Sequence, residues 1–268
     1  VLALFALVAL SPLSADDDLG LLDIDDIDLG DGSSNSTAQT STYTGSVQER
    51  KSGLGQGKPV TVSHYGGPIS IRCQEGDTLS ARIDYVVEGT NETNMERYGN
   101  GVRLKLWGDS NSGGVKTITP SKGSGVTSTQ VPLVVSAPKN VRLTVNAGSY
   151  WVEVLKCDGQ VSVANKKGDV WVEGDLSRFS VSAPGGSATV KLKSDSDVKS
   201  TSKITASGDI TLAMPLSVNV KLSARGGELK LDHVVSGNET PTSASGTIGT
   251  GGPTVTVSGK GRVEIVAP

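Results

Sequence analysis

An all-β fold, a β-solenoid of short stacked rungs behind an N-terminal β-rich section, is what this sequence predicts, and three observations carry the prediction. From Val141 to Leu231 one pattern is written five times: apolar-x-apolar-x-small-x-x-Gly, then apolar-x-apolar. It reads Val141 to Gly148 with Trp151 to Val154, then Val161 to Gly168 with Val170 to Glu173, and recurs in Phe179 to Leu192, Ser202 to Met214 and Val218 to Leu231. The marker glycines Gly148, Gly168, Gly186, Gly208 and Gly227 are 20, 18, 22 and 19 residues apart. Such a period, with strict alternation inside each copy, is how rungs of stacked strands read. Composition agrees: 4% aromatic residues and 34 glycines suit thin β-layers filled by Val, Ile and Leu and joined by tight turns.

In chain order, Val1 to Leu10 is wholly apolar and Ser11 to Ala15 is small and proline-broken, the pattern of a secretory signal peptide over residues 1–15 without its charged leader. The run is too short for a membrane span, and no other segment approaches it. The chain therefore reads as secreted, periplasmic or cell-surface, with no transmembrane segment after cleavage. Residues 1–31 hold eight Asp and no Lys, Arg or Glu, so an acidic tail precedes a mildly basic body of net charge +5. Spread over a β-surface, that excess does not argue for nucleic acid, which wants Lys and Arg on one face. The Asp-rich segment lacks the closing Glu of a calcium loop and reads as a solvated or partner-seeking tail. Residues 16–58 as a whole read as tail and flexible linker.

The β-rich section occupies residues 59–140. Val60-Thr-Val62, the turn Tyr65 to Pro68 and Ile69-Ser-Ile71 copy the repeat in miniature, and Leu79 to Val87 and Val102 to Trp107 alternate as strands. The polar stretch Glu88 to Gly101 and the segment Gly108 to Gly125 show no sustained pattern and read as excursions. Almost no helix is expected, since no stretch has helical spacing with start and stop signals. The repeats and their cap fill residues 141–268. There residues 236–253 read as a polar loop, and Thr254 to Val266 as one last copy closing the stack.

The first V-x-V…G-x-I-x-I copy, the entry Val135-Ser-Ala-Pro-Lys-Asn-Val-Arg-Leu143, the turns Gly168-Asp169 and Gly208-Asp209, and the closing Gly249-Thr-Gly-Gly-Pro…Val-Glu-Ile265 together resemble a known group. It is a large bacterial family of exported β-strand-repeat proteins, the "putative adhesins" of unknown function. The resemblance covers roughly Pro59 to Ala267, implies a β-solenoid outside the cytoplasm, and brings no catalytic residues with it.

Export implies an oxidising compartment in which Cys73 and Cys157, the two cysteines of the chain, can pair; separately buried thiols are the alternative. If Val170 and Val172 point inward, Trp171 and Glu173 point outward. Stacking each rung on the next then aligns Trp151 with Trp171 and Lys191, and Glu153 with Glu173 and Lys193. These six residues form the candidate binding surface, a platform for a sugar ring or partner protein unless the N-terminal half, Trp107 included, folds over it.

Catalytic constellations are missing from the pattern. His64 and His233 lie in different repeats without metal-ligand spacing, and His233 beside Asp232 reads as a strand-end surface pair. The glycines of GLGQGK lack the strand-to-helix context of a phosphate loop, Asp195 and Asp197 lie in a turn, and Asn35, Asn91 and Asn238 matter only in a glycosylating host. The expectation is a non-enzyme without cofactors, a structural or adhesive surface protein able to self-associate. A carbohydrate-binding module using Trp151 and Trp171 is the alternative, and a polysaccharide-active β-helix enzyme ranks third.

Overall fold

The computed structural model describes residues 40–193 and 197–268. The expected signal peptide, the acidic tail, the first part of the expected linker including Asn35, and Asp195 lie outside the described residues. The N-terminal section holds β1 (Ser41–Lys51), β2 (Pro59–His64), β3 (Ile69–Gln74), β4 (Leu79–Gly89), α1 (Glu92–Gly101), β5 (Arg103–Gly108), β6 (Gly113–Ile118), β7 (Val126–Gln130) and β8 (Leu133–Pro138). The repeats give β9 (Asn140–Ala147), β10 (Val152–Asn165), β11 (Val170–Ala183), β12 (Ala188–Leu192), β13 (Ser202–Ala206), β14 (Ile210–Ala213), β15 (Val220–Arg225) and β16 (Glu228–Leu231). The chain ends with β17 (Ser236–Thr240), β18 (Ser243–Ile248), β19 (Thr254–Ser258) and β20 (Arg262–Val266).

All twenty strands belong to one mixed, open sheet that contains two runs of parallel strands. The first ladder runs β8–β3–β10–β11–β12–β14–β20–β16. The second runs β6–β2–β9–β10–β11–β13–β19–β15. Strands β10 and β11 are long enough to serve both, because each crosses from one ladder to the other at mid-length. In β10 the crossing is marked by register shifts after Leu155 and Gly159 and by positive φ at Lys156 (61°) and Gly159 (98°).

Register explains the alternation in the sequence. On the first ladder Ile71, Val154, Val172, Val190, Leu212 and Ile265 stand side by side across successive strands; on the second, Val62, Val145, Val163, Val181, Ile204 and Val257 do. All of them are buried, and both sets belong to a single core. Burial of each such side chain is worth about 1.5–3 kcal/mol, so the inward rows are what hold the rungs in register. Where Ser202 interrupts its inward row, its hydroxyl accepts from the Phe179 N–H (3.1 Å) and donates to the Ser200 carbonyl (3.1 Å), which keeps a buried polar group satisfied.

The marker glycines follow from the stacking of turns. A Cβ on Gly168 would strike the Tyr150 carbonyl, and one on Gly186 would stand 2.5 Å from the Gly168 carbonyl oxygen. The acidic or hydroxyl residue after each glycine then caps the next turn: Asp169 Oδ1 accepts from Ser187 N (2.8 Å), Ser187 Oγ from Asp209 N (3.2 Å), and Asp209 Oδ1 from Arg262 N (2.8 Å). The Gly-Asp pairs are thus a ladder of turn caps running across the rungs.

Several sequence expectations are corrected. The stretch 32–58 is not all linker, because β1 pairs antiparallel with β4 over its whole length, Tyr43 and Val47 packing on the core. The excursion 88–101 contains α1, whose N-cap Asn91 accepts from Asn94 N (3.0 Å), and which buries Met95 and Tyr98. The segment 108–125 does not simply project, since its strand β6 extends the second ladder beside β2. Residues 254–266 do not cap the stack: β19 and β20 insert between the fourth and fifth repeats, so β13 meets β19 and β15 lies beyond it. The end of the second ladder is covered instead by the supposed loop 236–253, which forms β18 antiparallel to β15 and β17 antiparallel to β18. No break falls at residue 140, where β2 pairs with β9 and β3 with β10.

Candidate binding surface

Cys73 and Cys157 form a disulfide with Cα atoms 4.8 Å apart, tying the end of β3 to the crossing of β10. Both are buried. Beside the bond, the carboxylate of Asp158 is met by Lys139 Nζ (3.1 Å) and Lys193 Nζ (3.5 Å), and Lys139 also reaches Glu75 (3.2 Å). Asp158 first, then Glu75, raises the Lys139 ammonium above the ordinary lysine range. The crossing from one ladder to the other is therefore fastened covalently and by charge.

The expected tryptophan column does not form. In the observed register Trp171 stands between Glu153 and Thr189, and Glu173 between Leu155 and Lys191, while Trp151 precedes the strand and neighbours the Asp169 turn. The reason lies in the first turn: Gly148 is four residues before its strand, whereas Gly168 and Gly186 are two before theirs. A uniform period of twenty therefore overstates the rung offset, which is 18 residues from Val152 to Val170 and from Val170 to Ala188. Glu153 accepts a hydrogen bond from Ser70 Oγ (3.1 Å), so it has no like charge directly opposite. Lys193 reaches Asp158 rather than Glu173, and Lys191 is the lysine beside Glu173.

Trp151 and Trp171 nevertheless flank one shallow cleft of about 280 Å³, with Glu153, Asp169, Ser187 and Thr189 around them. They are 50% and 43% exposed, so the N-terminal half does not cover them. Trp107 lies elsewhere, its ring over Gly114 on the second ladder. Two tyrosines join the tryptophans. Tyr65 sits in the turn between β2 and β3, and Tyr150 in the next turn of the stack, since a Cβ on Gly148 would touch the Tyr65 backbone. Their exposures are 54% and 44%, and Lys166 Nζ lies 5.5 Å from the Tyr65 ring centroid. Two consecutive turns and the start of β11 thus carry four exposed aromatic side chains in a chain with ten aromatics. The sequence pattern singles out the tryptophans but not Tyr65 and Tyr150; the signal was there, as each lies within two residues of a turn glycine.

The histidines are structural. His64 points into the core, its Nδ1 2.6 Å from Thr117 Oγ1, and burial pushes its pKa down to about 4, partly opposed by the Val131 backbone. His233 is not a surface partner of Asp232: it is buried, with Nε2 donating between the carbonyls of Met214 (3.1 Å) and Pro215 (3.2 Å). Among the described residues no three His, Cys, Asp or Glu gather as a metal site would require, and no helix is long and apolar enough to cross a membrane.

No family model and no curated protein matches the chain. Among solved structures, a "putative cell adhesion protein" from Clostridium sporogenes aligns with 84% of this chain and 100% of its own, at 13% identity and a TM-score of 0.45. A "putative adhesin" from Bacteroides fragilis aligns over 84% of this chain and 97% of its own, at 12% identity and a TM-score of 0.31. A "putative lipid binding protein" from Parabacteroides distasonis aligns over 84% and 96%, at 10% identity and a TM-score of 0.25.

Proposed function

We propose that this is a non-enzymatic exported surface or matrix protein, a β-solenoid whose two parallel ladders are its walls and whose aromatic edge adheres to carbohydrate. The observation that carries the reading is the edge itself. Tyr65, Tyr150 and Trp151 stand half exposed on two stacked turns and Trp171 at the start of the adjoining strand β11, held by hydrogen-bonded backbone. Planar rings of this kind present apolar area at little entropic cost, and a sugar's C–H face packs on them while Glu153, Asp169 and Thr189 offer hydrogen bonds to its hydroxyls. The buried disulfide supports an oxidising compartment outside the cytoplasm. Adhesion by stacking of copies is less favoured, because the antiparallel pair β17 and β18 covers one end of the second ladder.

A glycan array probed with the full chain tests the reading. Discrete hits are expected, weakened at least about tenfold by Trp151→Ala with Trp171→Ala while the melting curve keeps its shape. Hits that survive the double substitution, or an array without hits, would overturn it.

A further inference from the structure

The outward face of the second ladder is a different surface, and the reading that follows is independent of the aromatic edge. Three rows of side chains run across its strands. One is Arg142–Gln160–Arg178; the next is Thr61–Thr144–Ser162–Ser180–Lys203–Thr256; the third begins Lys116–Ser63–Asn146 and, after Ala164, Ser182, Thr205 and Ser258, ends at Arg225. None of the three contains Asp or Glu. Asp158 and its neighbour Asp175 lie just outside them at the crossing, where Lys139 and Lys193 hold Asp158.

The cations in these rows are exposed and largely uncommitted. The side chains of Arg178 and Lys203 make no hydrogen bond or ion pair among the described residues, and the side chain of Arg142 gives only its Nε to the Gly57 carbonyl (3.2 Å). Arg142 and Arg178 flank Gln160 in an open cleft of about 350 Å³ floored by Thr144, Ser162 and Ser180. Like charges on one face without counter-charges create a positive field that attracts an anionic partner. The five cations of these rows therefore share one face with no carboxylate among them.

We propose that this face binds an acidic polysaccharide, with Arg142, Arg178 and Lys203 meeting its carboxylates or sulfates and the Ser and Thr rows hydrogen-bonding its ring hydroxyls. Spacing selects this partner. Neighbouring strands are about 4.8 Å apart, so Arg142 and Arg178, two strands apart, are anchored about 10 Å from one another. That matches a polymer charged on alternate sugars. Duplex DNA carries a charge about every 1.7 Å along its axis, far denser than this face can neutralise, and the three rows contain no aromatic side chain on which single-stranded bases would stack.

The test is calorimetric titration of the full chain at low salt with hyaluronate, which bears carboxylates on alternate sugars, with chondroitin sulfate, which adds sulfates, with neutral dextran and with a short DNA duplex. One or both acidic polymers are expected to bind and dextran not to. Hyaluronate binding assigns the site to carboxylates, and binding of chondroitin sulfate alone assigns it to sulfates. Affinity should fall as salt rises and weaken at least about tenfold in Arg142→Gln/Arg178→Gln/Lys203→Gln, a set of exposed positions whose melting temperature should stay put. Arg178→Gln alone should show part of the loss, and Trp151→Ala/Trp171→Ala should show none, which separates this site from the aromatic edge. Failure of both acidic polymers to bind, binding unchanged in the triple variant, or DNA bound as tightly as polysaccharide would overturn the proposal.

Discussion

Crossing the outside of the first ladder, one meets Ser70, Glu153, Trp171, Thr189, Thr211, Glu264 and Lys230, a mixed row with both signs of charge and an indole at its centre. The equivalent walk over the second ladder meets Thr61, Thr144, Ser162, Ser180, Lys203, Thr256 and Ser223, with no carboxylate. Both rows are made by the same repeats, and the same buried valines and isoleucines support them. The inward positions answer to packing, which treats the two ladders alike. The outward positions are under no such demand, and there the two faces have come to differ in chemistry.

If the faces share one core, damage to what joins the ladders should disable both together. The largest effect is expected from the disulfide, which closes a loop of 84 residues between β3 and β10. Cys73→Ala with Cys157→Ala should lower the unfolding free energy by about 4 kcal/mol in denaturant titrations. Glycan binding at the first face and polyanion binding at the second should be lost in one coincident transition. Two separate transitions would show that the ladders are not one cooperative unit.

Acid should act next most strongly, through His64. Its pKa is about 4 in the folded protein against an ordinary value near 6.5, so below pH 6.5 the unfolded chain takes up the proton first. The contribution of neutral His64 is complete above pH 6.5 and is lost as pH falls toward 4, about 3 kcal/mol over that window. His64→Gln should flatten the pH dependence of stability by that amount; parallel pH curves for the two proteins would refute it. Because His64 lies in the core of the second ladder, acid weakens the support of the cationic face even as it leaves Arg142 and Arg178 charged.

Smaller again is the effect of crowding the stacked turns. Gly168→Ala sets a methyl against the Tyr150 carbonyl, and relief requires the turn to move. A loss of about 2 kcal/mol is expected by thermal melting. The shift should disturb the aromatic edge, which is built on these turns, more than the second face, which is built on strand centres.

The glycine period and the alternation made the inward rows legible, because both follow from backbone stacking and burial and so repeat. What escaped depends on turn length and on order. Two extra residues after Gly148 moved Trp151 out of line with Trp171, and insertion of β19 and β20 beside β13 placed the last copy inside the stack, which no local pattern announces. Gly99 and Gly101 and a polar run concealed α1, although Asn91 offered a cap. The cationic face was invisible for a further reason: its members, Lys116, Arg142, Arg178, Lys203 and Arg225, are far apart in the chain, on five strands that meet only through register with one another and with β2, β10 and β19. Net charge counted them correctly and could not say that they share a side.

The finest test of the comparison asks little of stability. Arg178 is an exposed strand residue with no hydrogen bond or ion pair among the described residues, so Arg178→Gln should change the unfolding free energy by no more than about 0.5 kcal/mol. Trp171 is just over half buried, and Trp171→Ala should cost about 1 kcal/mol from the apolar area it ceases to cover. The two side chains belong to the same strand, β11, at opposite sides of its crossing, with no buried polar group between them to couple their effects. The double variant should therefore show the sum of the two losses, while glycan binding follows only the tryptophan and polyanion binding only the arginine. Cross-effects in the binding data would mean that the strand transmits strain through its crossing, and the two faces would then have to be treated as one surface.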